Sequence, residues 1–480
     1  MNKRYDLVSI GGGTAALVAS MGVAGIGGRA ALIEQAKLGG DCLWTGCIPS
    51  KALLAAASTA HSMRTADRHG LKPVEPVVDL AKVMATVRRA QSIIEPHDSP
   101  ERLAAHGVDV IHGRGRFAGP GRIIVGDQEI LFRAALIATG AGPVIPRIDG
   151  LAEADPLTSD TIWGLDQVPE RLVVLGGGPI GCELGQAFAR LGSKVTLVEA
   201  MPTLLPRERP EVGQFLAQQL GLEGVDVKVG QKAESVEPAV GGWNLKLSDQ
   251  SKIGFDRILV AVGRKPHTDD LGLSQVGVEI DDSGHLIVNN QMATTGDHIY
   301  GAGDVTGKMP FTHVAAHQAR LVVTNAMLRT RRSVNYDQLP WVTFTDPEIA
   351  RVGLDAATAR QRWGEKAVIQ RYDYGELDRA VAHSSNRGWA ELIGDPKRRL
   401  VGATVVGEAA GESIAELTAW ITNGSKIDAV STTVHAYPTF AEGPSRAADD
   451  VLRARYFAPR LTRVTSKLLA VLRRIDIPSS

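Results

Sequence analysis

The chain has 480 residues, which is more than one ordinary hydrophobic core accommodates, so two or three domains are expected. Its 53 lysine and arginine residues are balanced by 53 acidic residues, which gives no general attraction to nucleic acid or to an acidic membrane. Three cysteines are too few for a disulfide-stapled secreted protein, and their number is odd. A cytoplasmic location is therefore expected.

The segment from Leu7 to Gly28 carries no charged residue and is long enough to span a bilayer. Its many glycines make it a poor membrane helix. The basic residues before it lead into a strand-like run and a glycine turn, which is not the pattern of a signal peptide. We expect no integral membrane span.

A pattern of strand, glycine turn and helix occurs twice, with its strands at residues 5–10 and 171–175. The small residues of the two turns are, in order, Gly11, Gly13, Ala16 and Gly176, Gly178, Gly181. A second strand follows in each copy and ends on an acidic residue, Glu34 or Glu199. Each acid has the same separation from the first glycine of its turn, which indicates an internal repeat.

Each position of this repeat has a physical role in binding a dinucleotide. The first two glycines allow a tight turn close to a pyrophosphate, the third position needs only a small residue, and the acid accepts hydrogen bonds from ribose hydroxyls. One such turn is weak evidence, but two matched copies predict an α/β protein with two Rossmann-type domains. Further strand-end turns follow at Thr139-Gly140 and at Gly263.

Two of the three cysteines, Cys42 and Cys47, lie just after the first acid and before Lys51. Their spacing allows a disulfide if the backbone brings the Cα atoms close enough, and a helix N-terminus and a nearby lysine would each lower a thiol pKa. The alternatives are two unrelated buried cysteines or a metal site, although no histidine or third cysteine follows at ligand spacing. Cys182 is expected to be a small buried residue.

These motifs resemble those of the class I pyridine nucleotide-disulfide oxidoreductases, the family of lipoamide dehydrogenase, glutathione reductase and mercuric reductase. Residues 39–51 are similar to the redox motif, residues 301–304 to the second FAD signature, and residues 339–354 to the start of the dimerisation domain. The resemblance implies an FAD enzyme that uses NAD(P)H. It also implies a homodimer whose active site is shared across the interface.

The resemblance assigns roles to individual residues. Cys47 would face the flavin as a thiolate, and Cys42 would be the interchange thiol that meets the acceptor. Lys51 and Glu183 would form an ion pair beside the flavin ring, and Asp304 would bind the ribityl chain of FAD. No metal-binding residue is implied.

One departure from the family pattern lies near the C-terminus. Lipoamide dehydrogenase and glutathione reductase carry a His-Pro motif followed by Glu as an acid/base dyad, whereas here Tyr437 stands at the His position and Glu442 keeps its place. His435 lies two residues too early to inherit the role. A phenol, with a pKa of about 10, is a poorer base at neutral pH than imidazole at about 6.5, so rapid dithiol-disulfide exchange is not expected. Alternatively, Tyr437 is an interface aromatic with no chemical role.

The tyrosine and residues 94–102 resemble the mercuric reductase branch, but mercuric reductases end in a vicinal cysteine pair and here no cysteine follows Cys182. The acceptor, either a small molecule or a group on a carrier, is therefore expected to be a lipoyl or other disulfide or a metal ion. The alternatives are quinone or diaphorase activity from the flavin alone, or a redox partner subunit serving a lipoyl carrier protein.

NADH is expected to be preferred over NADPH. Glu199 would bind the ribose hydroxyls of NADH and repel the 2′-phosphate of NADPH. Arg207 and Arg209 follow a few residues later and would soften the preference.

The expected layout has an interrupted first domain with a helical excursion around residues 78–94. The expected domains are an FAD-binding domain at 1–150 and 276–335, an NAD(P)-binding domain at 151–275 and an α+β dimerisation domain at 340–450. Residues 451–480 are expected to form a basic helical tail in which apolar residues alternate with arginine and lysine. We expect this tail to be solvated and packed on its own dimer, the alternatives being a membrane surface or a partner protein.

Overall fold

The computed structural model describes residues 4–475 and divides into two units, the first ending at Asn335 and the second beginning at Tyr336. The first unit contains two parallel sheets, each with helices beside it, and the second contains one antiparallel sheet with helices. This arrangement confirms the predicted α/β fold class. The last predicted residues of the basic tail, 476–480, lie outside the described residues.

The strands of the first unit are, in chain order, β1 Arg4–Ile10, β2 Ala30–Glu34, β3 Val108–His112, β4 Gly115–Gly119, β5 Arg122–Val125, β6 Gln128–Ile137, β7 Ala141–Pro143, β8 Arg171–Leu175, β9 Lys194–Glu199, β10 Asp226–Val229, β11 Ala233–Ala239, β12 Gly242–Leu247, β13 Lys252–Phe255, β14 Arg257–Val260, β15 Arg264–Pro266 and β16 Ile299–Gly301. Its α-helices are α1 Thr14–Gly25, α2 Gly40–Trp44, α3 Cys47–Arg64, α4 Leu80–Ile94, α5 Pro100–Ala105, α6 Pro179–Arg190, α7 Pro210–Leu222 and α8 Thr312–Leu328.

The two parallel sheets of the first unit are built alike. The first places its parallel strands in the order β3, β2, β1, β6 and β16, and the second in the order β10, β9, β8 and β14. Strands β4 and β5 extend the first sheet in antiparallel fashion, and β11 to β13 form a separate antiparallel sheet. The repeat seen in the sequence therefore corresponds to a repeated strand order.

At both glycine turns the backbone lies close to the end of a neighbouring strand. Gly11, directly after β1, has a φ of 107°, and a Cβ added there would lie 2.3 Å from the carbonyl oxygen of Ala138. Gly176, directly after β8, has a φ of 109°, and an added Cβ would lie 2.4 Å from the carbonyl oxygen of Ala261. Only glycine combines this conformation with this approach, so each turn is fixed against the end of its neighbouring strand.

The third small position differs between the two turns. A Cβ at Gly181 would lie 1.9 Å from the carbonyl oxygen of Gly176, so helix α6 packs too tightly against its own turn for any side chain. Ala16 fills the same position in α1 with a buried methyl group. Glycine is therefore required at position 181, whereas position 16 accommodates alanine.

The second unit is an α+β structure around one five-stranded antiparallel sheet, ordered β17, β18, β21, β20 and β19. Its strands are β17 Pro340–Thr343, β18 Glu348–Gly353, β19 Val368–Asp373, β20 Trp389–Gly394 and β21 Leu400–Gly407. Its helices are α9 Ala356–Trp363, α10 Asp378–Ala382, α11 Ala410–Thr422, α12 Ile427–Thr432, α13 Glu442–Tyr456 and α14 Pro459–Ile475. Residues of the sheet and of α11 to α13 share one apolar core.

Two helix boundaries differ from the sequence expectation. The helix expected near Lys51 begins at Cys47, because Gly46 is its N-cap and Pro49 is tolerated in a first turn, where its missing amide leaves no intrahelical bond unmade. The tail expected at residues 451–480 includes the end of α13 and all of α14, which are separated just before Pro459.

The uncharged segment from Leu7 to Gly28 forms the end of β1, the glycine turn and α1. None of the helices between residues 4 and 475 is both long enough and apolar enough to cross a membrane.

Candidate active site

The carboxyl end of β1 forms a cradle that fits a phosphate. Gly13 is the N-cap of α1, and glycine brings no capping side chain to the first turn of the helix. Glu34 lies behind the turn, where a Cβ added to Gly12 would come within 2.7 Å of its carboxylate. Glu34 accepts a 2.6 Å hydrogen bond from the amide of Ala36. A pyrophosphate at the helix N-terminus and a ribose at the acid fit these groups.

A second cradle has the same parts at the end of β8. Gly178 is the N-cap of α6, and a Cβ added to it would meet none of the described atoms within 4 Å. The buried carboxylate of Glu199 accepts one hydrogen bond from the amide of Gly177 and one from the amide of Met201, each 2.7 Å long. Both oxygens of Glu199 are therefore held in fixed positions by the backbone.

The predicted strand-end residues lie where their strands lead into these cradles. Thr139 and Gly140 follow β6, and the Thr139 hydroxyl donates a 2.6 Å hydrogen bond to the carbonyl oxygen of His267. Gly263 follows β14, and its carbonyl oxygen accepts a 3.0 Å hydrogen bond from the amide of Val144. These bonds tie the two strand ends to the segments that connect the sheets.

Asp304, which follows β16, lies next to a guanidinium. Arg264 Nε is 3.8 Å from a carboxylate oxygen of Asp304, and the same guanidinium donates hydrogen bonds to the side chain of Asp41 and to the carbonyl oxygen of Ala141. Burial raises the pKa of both Asp304 and Asp41, and the charge of Arg264 opposes that rise. The cluster connects Asp304 to the residue that precedes Cys42.

The cysteine segment is held by side chains from distant parts of the sequence. Cys42 lies in the short helix α2 and Cys47 in the first turn of α3. The buried side-chain amide of Gln91, in α4, donates hydrogen bonds to the carbonyl oxygens of Leu43 and Trp44. The indole of Trp163 donates to the carbonyl oxygen of Thr45 at 3.1 Å. The residues between the two cysteines are therefore anchored on two sides.

Cys47 is the more acidic of the two thiols. A hydrogen bond from Cys42 is the largest cause that lowers the pKa of Cys47 to about 6, against the opposing effect of burial. The hydroxyl of Thr312, 3.2 Å from the sulfur, and the ammonium of Lys51 act in the same direction. The shared hydrogen bond and burial raise the pKa of Cys42. The pair therefore holds one thiolate, on Cys47, and one thiol proton, on Cys42.

Helix termini reinforce this arrangement. Cys47 is the first residue of α3 and Thr312 is the first residue of α8. Because the N-terminus of a helix carries a partial positive charge, two such ends favour a thiolate between them. Lys51, one turn farther along α3, forms a 2.7 Å ion pair with Glu183 of α6, whose side chain is 7% exposed. The predicted Lys51–Glu183 pair is thus present beside the cysteines.

Cys182 does not take part in this chemistry. It is buried in α6, where its thiol donates a 3.3 Å hydrogen bond to the carbonyl oxygen of Gly177. Burial raises its pKa, so it stays protonated at neutral pH. This agrees with the expected structural role.

Tyr437 and Glu442 lie in the second unit. Tyr437 is 66% exposed, and its hydroxyl donates a 3.1 Å hydrogen bond to Asp378, which raises the pKa of the phenol. Glu442 is buried, accepts a hydrogen bond from the amide of Thr439 and pairs with Arg446 at 3.3 Å. Glu442 and Asp378, the hydrogen-bond partner of Tyr437, help to line a cavity of about 230 Å³ whose other lining residues are Tyr372, Glu376, Leu377 and Arg446.

His435 contacts residues other than Tyr437 and Glu442. One ring nitrogen lies 3.1 Å from the carboxylate of Glu416 and the other lies 2.9 Å from the carbonyl oxygen of Thr433. The indole of Trp420 donates to the same carboxylate. This histidine therefore supports the packing of α11 and is not positioned beside Tyr437 as a substitute base.

The sequence argument missed four residues that shape the site. They are Gln91, Trp163, Arg264 and Thr312. Thr312 is separated from Cys47 by 265 positions, and Gln91 and Trp163 act through hydrogen bonds to backbone, which no local motif encodes. Arg264 directly follows the predicted Gly263, so among these four residues it alone lies beside a motif that the sequence had indicated.

Comparison with known families identifies two matches along the chain. Residues 5–319 match the family described as "Pyridine nucleotide-disulphide oxidoreductase". Residues 339–448 match the family described as "Pyridine nucleotide-disulphide oxidoreductase, dimerisation domain". Together they cover the residues of both cradles, both reactive cysteines, Tyr437 and Glu442.

Similar proteins include a dehydrogenase and a reductase. The chain is 35% identical over 460 residues to a dihydrolipoyl dehydrogenase from Thermus scotoductus, covering 93% of this chain and 97% of the relative. It is also 35% identical over 454 residues to a mercuric reductase from Streptomyces lividans, covering 92% and 95%. Among solved structures, a Cu(II) complex of the HOCl-induced flavoprotein disulfide reductase RclA from Escherichia coli superposes with a TM-score of 0.84 at 27% identity, covering 94% of this chain and all of that chain.

The contact between Thr312 and Cys47 gives a testable pH dependence. With a pKa of about 6, Cys47 should be mostly thiolate at pH 7 and should lose that state as pH falls through 6. Thr312→Val removes the hydroxyl, so the midpoint should move to higher pH. The measurement is the alkylation rate of Cys47 by iodoacetamide in the reduced protein, followed by mass spectrometry across the pH range.

Thr312→Ser is the matched control, because it keeps the hydroxyl and should leave the midpoint near that of the wild type. An unchanged midpoint in Thr312→Val would show that the hydroxyl does not stabilise the thiolate.

Proposed function

Because the chain belongs to the pyridine nucleotide-disulphide oxidoreductase family, it is an FAD-containing oxidoreductase, and we propose that it passes electrons from NADH through Cys42 and Cys47 to a metal ion or a disulfide. The main observation behind the proposal is that the two cysteines differ in protonation. Cys47 is a low-pKa thiol held by Thr312 and Lys51, while Cys42 keeps a proton. Such a pair holds two electrons in its reduced, dithiol state and gives them up when it is oxidised to a disulfide.

The assignment of the two cradles is also a proposal. The cradle of Gly13 and Glu34 fits FAD, held further by Asp304, within residues 1–150 and 276–335. The cradle of Gly178 and Glu199 fits the nicotinamide nucleotide within residues 151–275. When bound, these two groups supply the hydride and electron chemistry, and the chain positions them.

The reaction balances as a two-electron exchange. NADH supplies one hydride equivalent, which reduces the Cys42–Cys47 disulfide to one thiol on Cys42 and one thiolate on Cys47, with release of NAD⁺ and no further proton. In disulfide reduction, Cys42 attacks one acceptor sulfur and breaks its S–S bond, and Cys47 then attacks Cys42 to release the second thiol and restore the internal disulfide. With a divalent cation, the two thiolates bind the ion, which gains two electrons as the internal disulfide forms.

The raised pKa of Cys42 bears on which acceptor is favoured. Attack on a disulfide needs this thiol to lose its proton, and a neutral phenol with a raised pKa is a poor base for that step. A metal ion can displace the proton itself, because the thiolate is its ligand. We therefore propose a metal ion as the better acceptor and a lipoyl disulfide as a slow one.

The similarity to the dimerisation domain supports a homodimer. We propose that its active site is shared, with Tyr437 and Glu442 of one protomer serving the cysteines of its partner. Asp378 and Arg446 would then set the polarity around the phenol on the acceptor side.

The proposed route through the cysteines can be tested by removing them one at a time. Cys42→Ser and Cys47→Ser should each lower NADH-dependent reduction of mercuric ion in excess thiol and of lipoamide by more than roughly 100-fold, since the covalent relay is lost. Reduction of a quinone should persist, because that reaction can proceed from the flavin alone. Steady-state rates with the three acceptors provide the measurement.

Cys182→Ala is the matched control, because this thiol lies outside the relay, and its rates should stay within about twofold of wild type. If both relay variants keep full activity with every acceptor, the enzyme is a diaphorase that acts from the flavin alone.

A preference for NADH follows from Glu199. Its fixed carboxylate would face the ribose hydroxyls and repel a 2′-phosphate, while Arg209 already pairs with Glu211 at 2.7 Å. Wild type should therefore show a higher kcat/KM with NADH than with NADPH. Glu199→Gln removes the charge at nearly constant size and should narrow that ratio, measured by steady-state kinetics with both nucleotides.

Glu34→Gln is the matched change in the other cradle and should leave the nucleotide ratio unaltered. A kcat/KM for NADPH that equals or exceeds that for NADH in wild type would overturn the proposed preference.

Restoring the family's imidazole should change the acceptor profile. Tyr437→His places a group with a pKa near neutrality beside the carboxylates of Asp378 and Glu442, which can orient it. General acid/base assistance typically contributes roughly 10²- to 10⁴-fold, so oxidation of dihydrolipoamide should rise toward that range. Reduction of mercuric ion should fall, because the phenol is lost. Parallel steady-state assays with both substrates provide the comparison.

Tyr437→Phe is the control, since it removes the hydroxyl without supplying a base and should not accelerate dihydrolipoamide oxidation. Rapid dihydrolipoamide oxidation by wild type, slowed by Tyr437→His, would show that the tyrosine itself serves as the base.

A further inference from the structure

The final helix, α14, presents apolar side chains to solvent. Each residue from Pro459 to Arg473 is exposed. Its exposed large apolar residues are Leu461, Val464, Leu468, Leu469, Val471 and Leu472. An apolar surface of this kind on a single helix marks an interaction site.

These apolar residues are concentrated on one side of α14. Leu461, Val464, Leu468 and Leu472 follow the spacing of three and four residues that places side chains on the same face of a helix. Arg460, Arg463 and Lys467 follow the same spacing one position earlier, so they form an adjacent basic face. The helix is therefore amphipathic, with a cationic polar side.

The charge of α14 is one-sided. The chain as a whole has equal numbers of basic and acidic residues, yet residues 459–475 contain five basic residues and no acidic one. Two copies of such a helix meeting through their apolar faces would bring like charges together, which disfavours self-association. An anionic surface is the complementary partner.

Aromatic residues stand at the entrance to α14. Tyr456, the last residue of α13, and Phe457 are 54% and 73% exposed and lie two to three residues before the start of α14. Aromatic side chains favour the boundary between headgroups and acyl chains. Seventeen residues of α-helix measure about 25 Å, which is shorter than the hydrocarbon core of a bilayer, so the helix suits the plane of the interface.

We propose that α14 binds an anionic lipid bilayer, lying in the interface with its apolar face among the acyl chains and its basic face among the headgroups. The combination of apolar burial with attraction to anionic lipid supplies the two contributions that stable but reversible attachment needs. The helix begins at Pro459, beyond residue 448 where the match to the dimerisation domain ends, so the proposed site lies outside the segments that match the redox family.

The test is co-sedimentation of the full-length holoenzyme with vesicles of phosphatidylcholine alone or mixed with phosphatidylglycerol, at low and high salt. Wild type should bind the anionic vesicles at low salt, bind less at high salt, and stay in solution with the neutral vesicles. Each cation removed should weaken binding by about fivefold, so Arg463→Glu with Lys467→Glu should abolish it. Leu468→Glu should abolish it through the apolar face.

Lys82→Glu is the matched control, because it reverses an exposed charge on α4 and should leave vesicle binding unchanged. NADH-dependent quinone reduction should be the same in all variants, which shows that each is folded. Failure of wild type to bind anionic vesicles, equal binding to neutral ones, or binding that survives the charge reversals would overturn the proposal. A change in oligomeric state with Leu468→Glu, without vesicle binding, would assign the apolar face to a second copy of the chain instead.

Discussion

The arrangement of this enzyme depends on one backbone contact made twice: a glycine turn pressed against the carbonyl oxygen at the end of the neighbouring strand. At Gly11 and at Gly176 any Cβ would collide with that oxygen, so each turn can lie this close to the neighbouring strand end only because it carries no side chain. The two cradles follow from this contact, because it leaves the N-terminus of the helix facing the end of the sheet. The acids at the ends of β2 and β9 are then brought behind the turns by ordinary parallel pairing.

Electrostatic interactions then give different pKa values to two cysteines that lie in the same short motif. The starts of α3 and α8, with Lys51, favour negative charge on Cys47, and the shared hydrogen bond leaves the proton on Cys42. Cys47 is thus mostly ionised at neutral pH, while Cys42 keeps its proton until an acceptor or an external base removes it. In this chain the group at the position of the family's base is a phenol, and for this reason we propose that acceptors which displace the proton themselves react faster than acceptors that need a base.

Much of this could be predicted from the sequence because it is encoded locally. Strands β1, β2, β8 and β9, both turns and the acids depend on short patterns of apolar residues and glycine, and they lie where expected. The contact of Thr312 with Cys47 and the bonds from Gln91 and Trp163 could not be predicted, because they join segments far apart in the chain. The partner of Tyr437 was likewise hidden, since Asp378 precedes it by 59 positions. The break between α13 and α14, by contrast, has a local signal in the sequence, because a proline disfavours helix in the residue before it.

The burial of Cys182 has a consequence for the fidelity of the redox cycle. Three accessible thiols could in principle pair in three different ways within the chain. Enclosing one sulfur in α6, protonated and bonded to the carbonyl oxygen of Gly177, leaves each reactive sulfur with a single intramolecular mate. In the folded chain, an oxidant that enters from solvent therefore meets Cys42 and Cys47 but not Cys182, which favours the Cys42–Cys47 pairing.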